Sequence, residues 1–240
     1  MGQRLDYLAR EITAHWSQHY KDQYPLDEVA PLIAWPDNVT VIFCTTTFNR
    51  NFQIKKALPL NVRLTWPYPN IFHAVVDFNE GEVPPQVPTF LESVLYEAVK
   101  RGHICYGHAR LPDGIFHCPL AKNTAHAFGA VIAEQNSIPK ENVYLINLDN
   151  DNVLTPEFLR SACQIAQEQL HSADPGPGQR RSICCQWKNK EPGLTGRIGM
   201  PLTQWLAFGG YDEDLTGMGL LVGFCAFFSL PPCPVDDPSF

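Results

Sequence analysis

The chain has 240 residues and 45% hydrophobic side chains, which is enough to bury a full core as one large or two small domains. Its formal net charge of -7 argues against a nucleic-acid surface, because phosphate backbones are bound by clusters of Lys and Arg that this sequence lacks. The longest apolar stretch, residues 219–230, is shorter than the ~20 residues of a membrane helix, so no membrane span is predicted.

The N-terminal segment predicts a helical extension over residues 1–36. Apolar side chains recur there at helical spacing, at Leu5, Leu8, Ile12 and Trp16. The segment contains no apolar leader, so we expect a cytoplasmic protein whose 8 cysteines are mostly reduced.

Two strands with polar ends follow in the chain. Residues 39–44 form a continuous, β-branched apolar run, which is typical of a strand buried on both faces of a parallel sheet. A polar loop is predicted directly after it, over residues 45–50. The second strand is predicted over residues 72–76 and ends on Asp77.

Helical patterns alternate with these strands. After a Pro-rich linker at residues 83–88, the spacing of Thr89 and Glu92 predicts a capped helix that stops near Gly102. Two more helices are predicted over residues 120–134 and 156–170, the last with Thr155 as its N-cap and Pro156 in its first turn. The alternation predicts a single α/β domain over residues 37–219, with a mostly parallel central sheet flanked by helices.

The most informative motif is the apolar run 143–148, which ends in Asp149-Asn150-Asp151. Residues two apart in a strand point to the same side, so both carboxylates can face one divalent cation such as Mg²⁺ or Mn²⁺. The alternative is a plain turn after a strand, where Asp and Asn are favoured. An EF-hand does not fit, because the sixth position of the loop, Leu154, is not glycine.

Polar residues at the strand ends are expected to converge. In open α/β sheets, ligands collect beyond the carboxyl ends of the strands, which is where Thr45, Asp77 and Asp149 fall. The sequence therefore predicts one crevice at this edge of the sheet.

Several motifs in this order resemble the GT-A fold (Rossmann-like) nucleotide-diphospho-sugar glycosyltransferases, in particular family 2-like enzymes with a galactosyltransferase-type C-terminal region. The resemblance covers about residues 39–219. The motifs that carry it are Thr46-Thr47-Phe48-Asn49-Arg50, Asp77, Ala121-Lys122-Asn123, Asp149-Asn150-Asp151, Gly196-Arg197-Ile198-Gly199-Met200 and Phe208-Gly209-Gly210-Tyr211-Asp212-Glu213.

The resemblance implies an enzyme that moves a sugar from a nucleotide-diphospho-sugar, with a UDP-sugar expected, to a hydroxyl of a glycan or other acceptor, with inversion. It implies Mn²⁺ or Mg²⁺ held by Asp149 and Asp151, and acceptor-side acids at Asp212 and Glu213 as catalytic candidates. The predicted substrate-binding residues are Thr45, from its place at a strand end, and Asn49, Arg50, Asp77, Lys122, Asn123, Gly209 and Gly210, from the resemblance. Among them, Gly209 and Gly210 are expected on the acceptor side.

The chain departs from the family pattern after Gly219. Relatives continue into a Glu-Asp pair there, whereas residues 220–240 contain only two acids, Asp236 and Asp237. We therefore treat 220–240 as an atypical apolar, Pro-rich tail that replaces the usual one through a retained intron, a frameshift or a truncated gene. The alternative function is an inactive or truncated relative that binds nucleotide sugar without turnover.

Two further interpretations remain open at this stage. A dense group of potential zinc ligands lies between two predicted helices, but its spacing matches no standard zinc finger and it also fits a loop and short strand with reduced thiols. Its members are His103, Cys105, His108, His117 and Cys118. A metal-dependent phosphatase or nuclease would need more clustered acids than this strand end supplies.

Overall fold

The computed structural model describes residues 31–79, 86–111, 115–171, 183–186 and 194–214. The predicted N-terminal helix, the tail at residues 220–240 and the first part of the Pro-rich linker lie outside the described residues. The described residues therefore belong to the α/β body of the chain.

One mixed sheet forms the centre of the described part of the chain. Its six strands are β1 (Thr40–Thr47), β2 (Ile71–Asp77), β3 (Ile104–His108), β4 (Val143–Asn147), β5 (Ile183–Gln186) and β6 (Leu194–Pro201). The spatial order is β3-β2-β1-β4-β6-β5. Strands β1 to β4 run parallel, β6 runs antiparallel to β4, and β5 runs antiparallel to β6. The predicted mostly parallel α/β sheet is confirmed.

Helices cover both faces of this sheet. They are α1 (Asn51–Thr65), α2 (Gln86–Val94), α3 (Tyr96–Lys100), α4 (Cys118–Gln135), α5 (Pro156–His171) and α6 (Leu202–Phe208), with a 3-10 turn at Lys140–Asn142. Because side chains alternate along a strand, Ile42 and Cys44 pack on the side of α4 and α6. Val41 and Phe43 point the other way, into the core built with α5. Helices α1 to α3 cover the neighbouring part of that second face, against Val75 and Ile104.

Two predicted boundaries are wrong, each for a local reason. Residues 45–47 belong to β1 and not to a loop, because the parallel ladder with β2 continues until Thr47 lies opposite Asp77. The helix predicted to be capped at Thr89 begins at Gln86. Pro88 fits in its first turn, where backbone N–H groups have no partner within the helix.

Other predicted helix ends are confirmed. The hydroxyl of Thr155 accepts a hydrogen bond from the backbone N–H of Phe158 at 3.2 Å, as expected of an N-cap of α5. Gly102, two residues after α3, takes the left-handed conformation with a φ of 72°. In the ranges that the structure describes, no helix is both long enough and apolar enough to cross a lipid bilayer.

Candidate functional site

The chain leaves the sheet at the end of β4 in a tight turn that contains Asp149 and Asp151. The N–H of Asn152 donates to the carbonyl of Asp149 at 3.0 Å and closes this turn. Between the two acids, Asn150 is only 6% exposed, and its Nδ2 donates to Oγ1 of Thr47 at 3.2 Å. The middle residue therefore anchors the turn inside the protein, while both aspartate side chains remain partly exposed.

A basic side chain lies beside each of these aspartates. Nζ of Lys122 in α4 is 3.6 Å from Oδ1 of Asp149, and a guanidinium nitrogen of Arg50 is 3.6 Å from Oδ2 of Asp151. The Arg50 pair is half exposed and contributes about 0–1 kcal/mol to stability. Lys122 is different, because its side chain is only 4% exposed and a buried cation requires a compensating partner. The structure thus brings together four predicted site residues.

Two neighbours complete the surroundings of the Lys122–Asp149 pair. Nδ2 of Asn147 donates to Oδ1 of Asp149 at 3.3 Å. Burial raises the pKa of the Cys118 thiol, while the charge of Lys122 lowers it and that of Asp149 raises it. Cys118 lies one helical turn before Lys122, on the same face of α4.

The predicted metal ligands are two carboxylates, Asp149 and Asp151. Among the described residues, no group of three or more His, Cys, Asp or Glu side chains is arranged to hold a metal ion. Mg²⁺ is usually bound by one or two carboxylates together with substrate phosphates and water, so Asp149 and Asp151 fit a metal that enters with a diphosphate. They do not fit a self-contained metal site.

The structure does not assemble the zinc-ligand group that the sequence left open. Nε2 of His103 contacts the hydroxyl of Thr65 at 3.0 Å, on the far side of the sheet from α4. His117 caps α4, since its Nδ1 accepts from the N–H of Leu120 at 3.3 Å. His108 contacts the carbonyl of Asn79 at 2.9 Å. These histidines therefore have separate local roles.

Asp77 is buried at the end of β2 and ties strand ends together. Its Oδ1 accepts hydrogen bonds from the backbone N–H and from Nδ2 of Asn79, at 2.9 and 2.7 Å. Its Oδ2 accepts from the hydroxyl of Tyr106 in β3 at 3.1 Å. With 2% exposure, this carboxylate shapes the loops around it, and its contact with a nucleotide stays a prediction.

Asn79 is a residue of the site that the sequence reasoning missed. Its Oδ1 accepts from the backbone N–H of Asn49 at 2.6 Å, and its Nδ2 donates to Oδ1 of Asn51 at 3.0 Å. Asn49 has a φ of 53°, a left-handed conformation that asparagine tolerates better than most residues. Asn79 thereby holds the turn that presents Arg50. The sequence feature that could have identified Asn79 is its position two residues after Asp77, the polar residue at the end of β2.

Asn123 fixes the loop that follows α6. Its Nδ2 donates to the carbonyl of Tyr211 at 2.8 Å and to Oε1 of Glu213 at 2.7 Å, while its Oδ1 accepts from the N–H of Tyr211 at 2.7 Å. Gly209 and Gly210 in this loop have φ values of 78° and 86°. The structure shows the Asn123 amide engaged with this loop. The donor contact predicted for Asn123 and the acceptor contact predicted for Gly209 and Gly210 stay predictions.

The two remaining predicted site residues, Thr45 and Asp212, have different surroundings. Thr45 is 3% exposed within β1, and its hydroxyl has no hydrogen-bond partner in the part of the chain that the structure describes. The structure therefore does not bring Thr45 to the rim, where Thr47 contacts Asn150 instead. Asp212 is exposed, and its Oδ1 accepts from the N–H of Asp214 at 3.0 Å.

No protein-family model and no curated protein matches this chain. Among solved structures, the mannosyltransferase PcManGT from Pyrobaculum calidifontis, in complex with GDP-Man and Mn²⁺, is similar with a TM-score of 0.50 and 15% sequence identity. That likeness covers 88% of this chain and 58% of PcManGT. S. aureus TarS 1-349, in complex with UDP, gives a TM-score of 0.48 at 12% identity, over 75% of this chain and 52% of that one.

The likeness to PcManGT shows the fold. The described residues form a GT-A-like α/β domain, as the sequence predicted, and Asp77 and Asp149 lie at the carboxyl ends of two of its parallel strands. The chain spans about half the length of TarS 1-349, 52%, and somewhat more of PcManGT, 58%.

Proposed function

We propose that this chain binds a nucleotide-diphospho-sugar together with Mn²⁺ or Mg²⁺ and transfers the sugar to an acceptor hydroxyl, with inversion. The observation that carries the proposal is the pairing of Asp149 with Lys122 and of Asp151 with Arg50 in one crevice. The GT-A-like fold supports it by analogy, since PcManGT of similar fold is bound to GDP-Man and Mn²⁺. A UDP-sugar is the donor that we expect.

The charges of the crevice favour joint binding of metal and diphosphate. Two aspartates and two basic side chains sum to zero in the absence of ligand. A divalent cation between Asp149 and Asp151 makes the same four residues a doubly positive site, which attracts a diphosphate. By linkage, each ligand then strengthens the binding of the other by the same factor.

The basic side chains have distinct tasks in this proposal. Asp149 and Asp151 would hold the metal, which supplies Lewis-acid stabilisation of the leaving diphosphate when it is bound. Arg50 offers a planar guanidinium that can bind two phosphate oxygens at once, and Lys122 offers a point charge. Both cations lie next to the carboxylates in the ligand-free protein, so little reorganisation is required when charge develops on the diphosphate.

The acceptor hydroxyl must lose its proton to a carboxylate within hydrogen-bond reach. Asp212 and Glu213 follow Tyr211, whose ring centre lies 6.0 Å from Nζ of Lys122, so their loop borders the crevice. Glu213 already accepts a hydrogen bond from Asn123, which ties it to α4. Asp212 is therefore the better candidate for the base.

A second candidate function is binding of the nucleotide sugar without turnover. The observation that favours it is that the two candidate acids, Asp212 and Glu213, accept hydrogen bonds from the protein itself. In addition, the sequence after Gly219 lacks the Glu-Asp pair that the family resemblance implies. In this candidate function, the chain binds the nucleotide sugar and does not activate an acceptor hydroxyl.

Calorimetry with UDP and GDP, each with and without Mn²⁺, tests the binding that both candidates share. The exposed Arg63 near the end of α1 provides the control, so the variants are Arg50→Gln and Arg63→Gln. We expect metal-dependent binding that Arg50→Gln weakens about tenfold and Arg63→Gln leaves intact. The absence of metal-dependent binding of either nucleotide would overturn both candidates.

Turnover separates the two candidates. NMR spectroscopy of UDP- or GDP-sugars with the full chain and Mn²⁺ measures release of the nucleoside diphosphate and the anomeric configuration of the product. Release with inversion supports the transferase. Tight binding without release supports the binding protein.

A further inference from the structure

Asn61 lies on the buried side of α1 and directs its amide at the chain that follows Asp149 and Asp151. Only 2% of its surface is exposed. Its Nδ2 donates to the carbonyl of Asn152 at 2.9 Å, and its Oδ1 accepts from the backbone N–H of Leu154 at 2.7 Å. These two bonds join positions that are 91 and 93 residues apart in the sequence, so they are tertiary contacts.

The pair of bonds replaces a missing strand neighbour. A carbonyl at one residue and an N–H two residues later are the groups that an extended chain presents to an adjacent strand. None of the strands in the described ranges pairs with residues 152–154, which connect β4 to α5. A single side-chain amide supplies both the donor and the acceptor instead, and buried backbone groups require such partners.

Asn61 is the last of three anchors on this turn. Before the acids, the N–H of Leu148 donates to the carbonyl of Cys44 in β1 at 2.9 Å. Between the acids, Asn150 bonds Thr47, as described above. After the acids, Asn61 forms hydrogen bonds with the carbonyl of Asn152 and the N–H of Leu154. Asp149 and Asp151 therefore lie between fixed points, with only their side chains free to adjust.

We propose that Asn61 is a positioning residue for the metal and diphosphate site, because its amide fixes the turn from which Asp149 and Asp151 face Lys122 and Arg50. The expected effect of Asn61 on ligand binding rests on the proposed function. Asn61 touches neither the metal nor the diphosphate, and it acts only through the backbone of residues 152–154. Asparagine is an unfavourable residue within a helix, so its place on the apolar face of α1 requires a tertiary reason.

Two substitutions at Asn61 and one control at its neighbour test this role. Asn61→Asp keeps the shape but loses the donor and places an oxygen against the carbonyl of Asn152. Asn61→Leu loses both hydrogen bonds and keeps the number and branching of the side-chain heavy atoms. The control is Val62→Ala, which removes two methyl groups from a fully buried position of the same helix without contact to the turn.

Hydrogen exchange of the Leu154 N–H measures the anchor directly, without any ligand. We expect this N–H to exchange at least tenfold faster in Asn61→Leu than in Val62→Ala, at a temperature where both variants are folded. Equal exchange in Asn61→Leu and Val62→Ala would overturn the proposal, since the Leu154 N–H would then depend on global stability alone.

Binding of UDP with Mn²⁺, measured by calorimetry, tests the consequence. We expect dissociation constants at least tenfold weaker in Asn61→Asp and Asn61→Leu, and within twofold of the parent in Val62→Ala. Equal dissociation constants in all three variants would also overturn the positioning role. If the parent binds neither UDP nor GDP with Mn²⁺, the proposed function fails, and the exchange of Leu154 by itself decides whether Asn61 anchors the turn.

Discussion

Asn123 and Tyr211 are joined by two hydrogen bonds in which a side-chain amide pairs with a backbone peptide group, at 2.8 Å and 2.7 Å. This pair ties α4, the helix of Lys122, to the loop that contains the acceptor-side acids. Gly210 lies against the same amide, because a Cβ atom built on it would be 2.4 Å from Oδ1 of Asn123. The loop is therefore shaped by one amide and one glycine.

Alanine at Gly210 should destabilise the protein more than alanine at Gly209. Both residues have left-handed φ values, and that conformation costs an L-residue about 1–2 kcal/mol. Only Gly210 also lacks room for a Cβ atom, whereas a Cβ on Gly209 would meet no atom within 4 Å. Urea unfolding of Gly209→Ala and Gly210→Ala measures the difference, which we expect to be at least about 1 kcal/mol. Equal losses would contradict the close contact between Gly210 and Asn123.

Removing Lys122 should change metal and nucleotide binding in opposite directions. Lys122→Met frees Asp149 from its buried cation, so Mn²⁺ alone should bind more tightly to the variant than to the parent. A nucleoside diphosphate should bind about tenfold more weakly or worse, because a hydrogen bond to a charged group is lost. Calorimetry with Mn²⁺ and with UDP measures both effects. Lys140→Met, at an exposed position in the 3-10 turn, is the control.

A change of both affinities in the same direction in Lys122→Met would contradict this account. It would indicate that Lys122 supports the fold of the crevice without meeting either ligand. The exposed control should leave both dissociation constants unchanged.

Two buried histidines should make stability depend on pH. Nε2 of His73 and Nε2 of His103 both contact the hydroxyl of Thr65, at 2.8 and 3.0 Å, and this hydroxyl donates to the carbonyl of Asn61 at 2.9 Å. Burial lowers the pKa of His103 to about 4 and holds that of His73 well below its usual value, with a further decrease from the charge of His103. Arg101, stacked on Trp66 next to His103, is the other charged group at this cluster.

The sign of the pH effect follows from these lowered pKa values. Below about pH 6.5 the unfolded chain binds protons that the folded chain excludes, so stability is highest above that pH and falls as the pH decreases toward 4. Each buried histidine contributes a slope of about 1.4 kcal/mol per pH unit. Urea unfolding of His103→Asn at pH 6 and pH 5 should show a shallower slope than the parent. The exposed His171→Asn should retain the slope of the parent, and an unchanged slope in His103→Asn would contradict the prediction.

The periodicity of the sequence was sufficient to predict three of the four parallel strands, but not β3. Continuous apolar runs identify β1, β2 and β4, because strands buried on both faces carry no polar alternation. The antiparallel strands β5 and β6 were not predicted. The strand Leu194–Pro201 contains two glycines. Position 199 requires glycine, because a Cβ atom there would lie 2.7 Å from the ring of Tyr144. Such a contact depends on a partner 55 residues away, which no local pattern shows.

The candidate site was predictable in its charged residues and not in its supporting ones. Asp149, Asp151, Lys122 and Arg50 were predicted from strand ends and from the family resemblance, and the structure brings them together. Asn61 and Asn79 were missed, since their roles are hydrogen bonds between segments that are distant in sequence. Thr45 was predicted at the rim because β1 was expected to end too early.

The most direct test of the central claim is Mn²⁺ binding measured by electron paramagnetic resonance, in the presence and absence of UDP or GDP. The variants are Asp149→Asn and Asp151→Asn, with the exposed Asp37→Asn as the control. We predict that one of the nucleotides strengthens Mn²⁺ binding to the parent and to Asp37→Asn, and that this gain is lost when Asp149 or Asp151 is replaced. An equal gain in all four proteins would contradict the claim that these two aspartates form the metal and diphosphate site.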